Sequence, residues 1–359
     1  MQDEGVERYG GTKDVADSHK FDEKNLEAYL AAHVEGFEGP MEVRQFKGGQ
    51  SNPTYQIVTP KKKYVMRRKP PGKLLPSAHA VDREYKVITA LGKIGFPVPP
   101  TYCLCEDESV VGTIFYVMDM VEGRILWDPR LPDIPREGRR AIFEAKISTL
   151  AKLHNADYEA IGLGDFGKPG NYFSRQISRW TKQYQMSETQ SIDTMNKLID
   201  WLPGNIPDHD ANSIVHGDFR LDNMVLHADK PEVLAVLDWE LSTLGHPLGD
   251  FTYHLMQWFM PSEGASTQTL EGVDFDALNI PDAAEYTRLY CEHTGRDRIE
   301  NMDFYIAYNM FRLAGILQGI VGRVRDGTAS NEHAALMEDR VKPLSDVGWF
   351  YAQKAGAVG

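Results

Sequence analysis

The stretch IVHGDFRLDNMVL, residues 214–226, decides the fold of this chain together with VLAVLDWELSTLG, residues 233–245. Each stretch sets polar residues directly beside an apolar run that is typical of a short buried strand. Asp218 and Asn223 lie in the first stretch, and Asp238 ends the apolar run of the second. Phosphoryl transfer requires a carboxylate that accepts a proton and hard oxygen ligands for Mg²⁺. Two carboxylates and an amide on tight turns supply that set.

The composition is that of an acidic globular protein. The chain has 359 residues, of which 42% are apolar, so it can bury a sizeable core in one large or two smaller domains. Its 39 basic and 52 acidic residues leave a net charge of −13, which repels polyphosphate backbones. Nucleic acid is therefore not an expected partner. Three cysteines make no even disulfide framework and indicate a reducing compartment, by default the cytoplasm.

Two segments bear on targeting. Residues 1–20 are polar and acidic and contain no apolar region of the kind that signal peptides have, so we expect a mobile leader. The most apolar stretch, residues 304–321, contains Asn309, Arg312 and Gln318. It predicts a buried helix and not a membrane anchor, so we expect no membrane partner.

Hydrophobic patterning predicts an α+β chain with two lobes. The strand-like runs are separated by turn-forming clusters and comprise MEVRQF (41–46), PTYQIVT (53–59), YVMRR (64–68), TYCLCED (101–107) and GTIFYVMDMVEG (112–123). A helix is predicted over residues 77–92, and from about residue 136 the pattern becomes helical. We therefore expect a small antiparallel β-rich N-lobe over 21–122, in which the runs over 41–68 form a meander. A larger, mainly helical C-lobe over 123–359 is expected to contain the catalytic and metal loops.

The HGDFRLDN and LDWE segments resemble motifs of the aminoglycoside phosphotransferase and choline kinase branch of the protein-kinase-like fold. The resemblance implies a two-lobed kinase-like fold with ATP and Mg²⁺ as cofactors. It implies Asp218 as the catalytic base and Asn223 and Asp238 as Mg²⁺ ligands. His216 and Asp250 are expected to support the catalytic loop from behind.

Three segments of the N-lobe are expected to bind the nucleotide. Glycines in KGGQSN, residues 47–52, would let backbone amides approach phosphates, although an ordinary hairpin turn is the alternative. YVMRR resembles the ATP-lysine strand of the family with an arginine in place of the lysine, and FYVMDMVEG resembles the hinge that binds the adenine edge, with Met118 behind the pocket. The expected nucleotide-binding residues are Gly48, Gly49, Ser51, Asn52, Arg67, Glu84, Asp119 and Val121.

Two points about these segments stay open. Arg67 is expected to grip phosphates and to pair with Glu84, but a shift in register would give the role to Arg68 or Lys69. A nucleotide-binding pseudokinase that serves as an interaction module is the alternative from another class, because the usual lysine is replaced.

The hydroxyl acceptor is expected to be a small molecule. Arg220, Arg312 and Arg323 are candidate partners for an anionic acceptor, whereas the acidic net charge favours a cationic one. A finer resemblance joins RRKPPGKLLPSAHAVDREYKV and the two decisive segments to the kinase domain of acyl-CoA dehydrogenase-family fusion proteins, which implies a 4-hydroxyacyl-CoA acceptor. An aminoglycoside or choline-type kinase is the alternative, and a monomer or homodimer is expected.

Overall fold

The computed structural model describes residues 11–48, 52–72, 79–262, 269–327 and 334–358. Within them the chain forms two compact units. The β-rich unit consists of the chain up to Trp127, with Tyr158–Phe166 and Leu221–Ser242, and the helical unit consists of Asp128–Asp157, Gly167–Arg220 and the chain from Thr243 onward. The segment Leu221–Ser242, which was expected within the helical lobe, thus groups with the β-rich unit.

An antiparallel sheet of six strands, in the order β1-β2-β3-β4-β6-β5, forms the β-rich unit. The strands are β1 (Thr12–Lys13), β2 (Glu42–Phe46), β3 (Thr54–Val58), β4 (Lys63–Arg68), β5 (Thr101–Cys105) and β6 (Phe115–Asp119). The predicted meander is confirmed in β2 to β4, and the two later strand-like runs form β5 and β6.

The two faces of β4 have different surroundings. Tyr64 and Met66 point into an apolar core that also contains Leu26 and Leu30 of helix α1 (Glu23–His33). Burying each of these leucine side chains stabilises the unit by about 1.5–3 kcal/mol. Because successive side chains of a strand alternate between faces, Val65 and Arg67 lie on the opposite face of β4.

The first described residues pack on this sheet. Thr12 and Lys13 pair with β2, and the His19 carbonyl accepts a hydrogen bond from Arg68 Nη2 at 2.8 Å. The segment that was expected to be a mobile leader therefore contributes an edge strand and a backbone partner between residues 11 and 20.

Two further elements complete the β-rich unit. Helix α2 spans Val81–Lys93, and Ser77, where this helix was predicted to begin, lies outside the described residues. Strands β8 (Met224–Leu226) and β9 (Val233–Val236) form an antiparallel hairpin.

Helices dominate the other unit. They are α3 (Arg136–His154), α4 (Tyr172–Ser187), α5 (Asp193–Trp201), α6 (Pro247–Leu255), α7 (Phe275–Leu278), α8 (Ala283–Thr294), α9 (Met302–Arg325) and α10 (Ala334–Lys354). Strands β7 (Ser213–Val215) and β10 (Thr243–Gly245) form an antiparallel pair.

Helix α9 contains the apolar stretch that was predicted to be a buried helix, and it packs against α4 and α10. A Cβ at Gly322 would lie 2.6 Å from Ser187 Cβ, so the close approach of α4 requires a glycine there. No helix in the described part of the chain is long and apolar enough to cross a membrane.

Candidate active site

A cavity of about 450 Å³ lies within the β-rich unit. Apolar side chains form much of its lining and include Val65, Met118, Val121, Ile125, Val225 and Val236. Arg67, Asn223 and Asp238 line the same cavity. An apolar pocket with a few convergent polar groups is the usual form of a small-molecule site. The fold therefore brings one predicted phosphate-binding residue and both predicted metal ligands to one cavity.

Three carboxylates surround the buried guanidinium of Arg67. Its Nε lies 3.3 Å from Glu84 Oε2, its Nη1 3.2 Å from Asp238 Oδ1, and its Nη2 3.7 Å from Glu240 Oε2. The ion pair with Glu84 that the sequence analysis expected is present. The role of Arg67 toward phosphate remains a prediction.

The neighbouring basic residues face elsewhere. Arg68 lies on the other face of β4, where its Nε donates to Tyr55 Oη at 3.1 Å and its Nη1 to the Val111 carbonyl at 2.8 Å. Lys69 pairs with Asp82 at 3.4 Å. Among the three candidates for the phosphate-binding position, only Arg67 lines the cavity.

Glu84 is buried on α2 and is held from several sides. Asn52 Nδ2 donates to its Oε1 at 2.8 Å, and Tyr116 Oη donates to its Oε2 at 3.1 Å. Burial raises the pKa of Glu84, and the Arg67 guanidinium opposes the rise. Asn52 was expected in the phosphate loop, but its side chain is fully buried and engages Glu84. Its contact with the site therefore runs through Glu84.

The rest of the glycine loop is described only in part. Gly48 lines the cavity, and its approach to phosphates stays a prediction. Gly49 and Ser51, which were predicted to approach the phosphates with it, lie outside the described residues.

Two connected turns present Asn223 and Asp238. Asn223 ends a short 3₁₀ helix, Leu221–Asn223, and its carbonyl accepts a hydrogen bond from the Leu237 amide at 2.8 Å. Asp238 has a left-handed backbone with φ of 63°, and the Trp239 ring after it is buried, with its Nε1 donating to the Val236 carbonyl at 2.9 Å. The buried indole anchors the turn that carries the carboxylate.

The donor set of these turns suits Mg²⁺. A carboxylate and an amide oxygen are hard ligands, and Mg²⁺ usually takes one or two carboxylates plus substrate phosphates and water. The described residues contain no cluster of three or more His, Cys, Asp and Glu that would cage an ion by protein groups alone. The carboxylate of Asp238 and the amide oxygen of Asn223 fit a divalent cation whose other ligands are phosphate or water oxygens.

Strand β6 leads from the sheet into the segment predicted to bind adenine. Asp119, Met120 and Val121 all line the cavity. The Asp119 amide donates to the Pro100 carbonyl at 2.7 Å, and its side chain pairs with Lys62 at 3.1 Å. Met118 also contacts the cavity, as the sequence analysis expected.

In the helical unit, the buried carboxylate of Asp250 on α6 anchors the HGD segment. It accepts hydrogen bonds from the amides of His216 at 2.7 Å and Gly217 at 2.9 Å. His154 Nε2 lies 3.2 Å from the same carboxylate, and His154 Nδ1 lies 2.7 Å from Tyr290 Oη. Burial alone would raise the pKa of Asp250, but the hydrogen bonds from His154 and His216 outweigh it and lower the pKa.

Asp218 follows this anchored backbone. Its Oδ1 lies 3.3 Å from Tyr253 Oη and 3.2 Å from Arg220 Nε. Burial is the main cause that raises the pKa of Tyr253, and the nearby Asp218 adds to it, so the phenol stays protonated and donates. The Asp218 amide donates to Nδ1 of the buried His216 at 3.2 Å. The side chain and backbone of Asp218 are thus both oriented.

The arginines proposed for the acceptor have different surroundings. Arg312 on α9 is buried, donates from Nη2 to the Gly217 carbonyl at 2.9 Å, and lies over the Tyr253 ring at 4.4 Å. It supports the HGD segment and is not displayed to solvent. Arg323 is exposed, about 16 Å further along α9 at 1.5 Å per residue. Arg220 is partly exposed beside Asp218.

The sequence alone did not indicate Tyr253, Glu240 or Tyr116 as site residues. Tyr253 and Tyr116 lie in apolar segments, where a tyrosine is usually a core residue. Glu240 follows Asp238 by two residues and carried no signal beyond that closeness. These contacts depend on which elements pack together, so no local pattern could have indicated them.

The chain matches a known protein family and part of a longer curated relative. The family model for the phosphotransferase enzyme family matches residues 42–292. Acyl-CoA dehydrogenase family member 10 of Mus musculus is 44% identical over 334 residues, which cover 93% of this chain but 31% of that protein. The chain thus spans about a third of the length of this relative.

Solved structures show the same fold. A Ralstonia eutropha protein provisionally assigned as an aminoglycoside phosphotransferase shares 53% identity and has a TM-score of 0.86, over 93% of this chain and 99% of that chain. Choline kinase from Cryptosporidium parvum shares 11% identity and has a TM-score of 0.62, over 93% of this chain and 95% of that chain. An aminoglycoside phosphotransferase in ternary complex with AMP-PNP and hygromycin B shares 15% identity and has a TM-score of 0.59, over 90% of this chain and 98% of that chain. The last two likenesses concern the fold alone.

The fold is therefore the predicted protein-kinase-like α+β fold. The chain belongs to the phosphotransferase enzyme family.

Proposed function

We propose that this protein is an ATP- and Mg²⁺-dependent O-phosphotransferase that acts on the hydroxyl group of a small molecule. The observation that carries the proposal is the cavity of the β-rich unit, which gathers Arg67, Asn223 and Asp238 beside apolar walls. Apolar walls suit a nucleobase, and a cation with oxygen ligands suits a triphosphate with its metal.

Each group of the cavity has a role in this proposal. Arg67 grips the phosphates as a planar fork, and Asn223 and Asp238 hold Mg²⁺. Mg²⁺ supplies charge neutralisation on the phosphate oxygens. The adenine edge binds to the Asp119 carbonyl and the Val121 amide, since the Asp119 amide is already engaged by the sheet.

Asp218 accepts the proton of the acceptor hydroxyl. Its neighbours Tyr253 and Arg220 hold the carboxylate in one orientation. General-base catalysis depends on such placement within hydrogen-bond reach of the proton that is removed. Asp218 precedes Asn223 by five residues along the chain.

For the acceptor we propose a 4-hydroxyacyl-CoA. The support is the 44% identity to a protein named for the acyl-CoA dehydrogenase family. Arg220 and Arg323 are partly or fully exposed cations that can pair with the phosphates of coenzyme A. An aminoglycoside is the second candidate, favoured by the net charge of −13, which attracts cationic substrates.

The test is ATP-dependent phosphorylation of 4-hydroxyacyl-CoA, kanamycin and choline, followed by mass spectrometry of the products. Wild-type protein is compared with Asp218→Asn and with Asp208→Asn, an exposed carboxylate of the same unit. We expect Asp218→Asn to bind ATP normally but to lose roughly 10²–10⁴-fold in turnover, because the proton acceptor is removed. Asp208→Asn should match the wild type.

The outcomes separate the candidates. Phosphorylation of kanamycin without thioester activity would replace the acceptor and leave the kinase assignment intact. ATP binding without turnover on any hydroxyl compound would favour the pseudokinase alternative. An Asp218→Asn protein with wild-type turnover would show that the base is another group.

A further inference from the structure

Arg67 is held by three carboxylates that come from different parts of the β-rich unit. Glu84 lies on α2, Asp238 follows β9, and Glu240 lies in the 3₁₀ helix Trp239–Leu241. The guanidinium distributes itself between them, with Nε toward Glu84 and the two Nη atoms toward the others. A lysine ammonium is a single point charge and cannot divide its donors in this way.

The contact with Asp238 involves one oxygen. Asp238 Oδ1 accepts from Arg67 Nη1 at 3.2 Å and from Nη2 at 3.3 Å. The same carboxylate is the predicted metal ligand, and it lines the cavity with Asn223. A divalent cation that coordinated Oδ1 would repel the guanidinium, because both are cations and would share one oxygen. The guanidinium and the metal therefore compete for one carboxylate.

We propose that Arg67 and the divalent cation exchange at Asp238, so that metal binding releases the guanidinium from Asp238 to the nucleotide phosphates. This inference rests on the proposed function, because it requires that metal and nucleotide bind in this cavity. Glu84 stays paired with Nε during the exchange and keeps Arg67 in place. The arrangement makes metal binding weak in the absence of nucleotide and strong in its presence, because the phosphates then bind the Arg67 guanidinium that the metal displaces from Asp238.

The exchange predicts that one substitution changes metal affinity in opposite directions with and without nucleotide. Arg67→Lys preserves the positive charge but removes the fork that holds Asp238 Oδ1. Metal alone should then bind more tightly, by about tenfold, which corresponds to the loss of one charge-assisted contact. Metal together with nucleotide should bind more weakly, because a point charge grips phosphates less well than a fork.

Mn²⁺ serves as the probe. Electron paramagnetic resonance of free Mn²⁺ measures its affinity for the protein without nucleotide, and calorimetry measures AMP-PNP affinity with and without Mn²⁺. The matched control is Arg44→Lys, a partly exposed arginine of β2 that pairs with Asp14 at 2.9 Å. The control should leave both affinities unchanged. Arg67→Gln, which keeps a hydrogen-bond donor toward Glu84, replaces Arg67→Lys if that variant does not fold.

A double-substitution experiment tests whether Asp238 is the carboxylate for which Arg67 and the metal compete. In Asp238→Asn protein, Arg67→Lys should no longer increase Mn²⁺ affinity, because the oxygen for which the two cations compete has been changed. Unchanged or weaker Mn²⁺ binding by Arg67→Lys overturns the exchange, and so does a gain that persists in the Asp238→Asn background. Failure of wild-type protein to bind AMP-PNP even with Mn²⁺ is a different result, which overturns the proposed function itself.

Discussion

Replacing Asp250 by asparagine should loosen the loop that presents Asp218. The carboxylate accepts from two backbone amides, those of His216 at 2.7 Å and Gly217 at 2.9 Å. An asparagine keeps one acceptor oxygen and turns an NH₂ group toward the other amide. The loss of a hydrogen bond to a charged group costs about 1.5–3 kcal/mol, and a buried donor without an acceptor costs about 1–3 kcal/mol. We expect a total cost of roughly 3–5 kcal/mol.

Hydrogen exchange measured by mass spectrometry on a peptide that spans residues 213–221 reports this loss locally. A cost of that size corresponds to exchange of the His216 and Gly217 amides that is faster by a factor of roughly 10² to 4 × 10³, since each 1.4 kcal/mol is a factor of ten. Asp326→Asn is the control, because Asp326 is exposed and pairs with its neighbour Arg325 at 2.9 Å. Exchange within threefold of the wild type would refute the reasoning.

The dependence on pH provides a second readout of the same carboxylate. The pKa of Asp250 is lowered in the folded protein, so its contribution to stability is complete above the ordinary carboxyl pKa of about 4. The contribution is lost as the pH falls from there through the lowered folded pKa. Asp250→Asn should remove this part of the acid sensitivity, which thermal unfolding between pH 2 and 7 measures. Equal acid sensitivity in the two proteins would contradict the assignment.

Two further substitutions test the surroundings of Asp218. Tyr253→Phe removes a phenol hydroxyl that lies 3.3 Å from Asp218 Oδ1. Steady-state kinetics should therefore show kcat reduced by about tenfold, while the KM for ATP stays near the wild-type value. An unchanged kcat would exclude a positioning role for Tyr253. Arg312→Met removes the donor to the Gly217 carbonyl and the cation over the Tyr253 ring. The substitution should destabilise the protein by about 2–4 kcal/mol and should lower turnover for every acceptor alike. Urea unfolding measures the stability, with the exposed Arg323→Met as control, and selective loss of one acceptor would instead make Arg312 a substrate contact.

Local patterns were enough to predict much of the fold. The strands of the meander, the buried helix α9 and the two decisive polar segments were all read from residues close together in the chain. Burial periodicity and turn-forming residues act over a few positions, so a local pattern determines them. The same closeness explains why Asp218, Asn223 and Asp238 could be named as candidates. Their residue types and their places after apolar runs are properties of the sequence itself.

Only the tertiary structure decided which partner each side chain meets. Arg67 and Asp238 are 171 residues apart in sequence, and no periodicity links them. Alternation showed that Arg67 and Arg68 lie on opposite faces of β4, but the packing of α1 on one face determined which of them lines the cavity. Arg312 was proposed as a substrate contact and is a buried support of the Gly217 carbonyl. A charge finds its partner through the packing of distant elements, and local sequence does not contain that information.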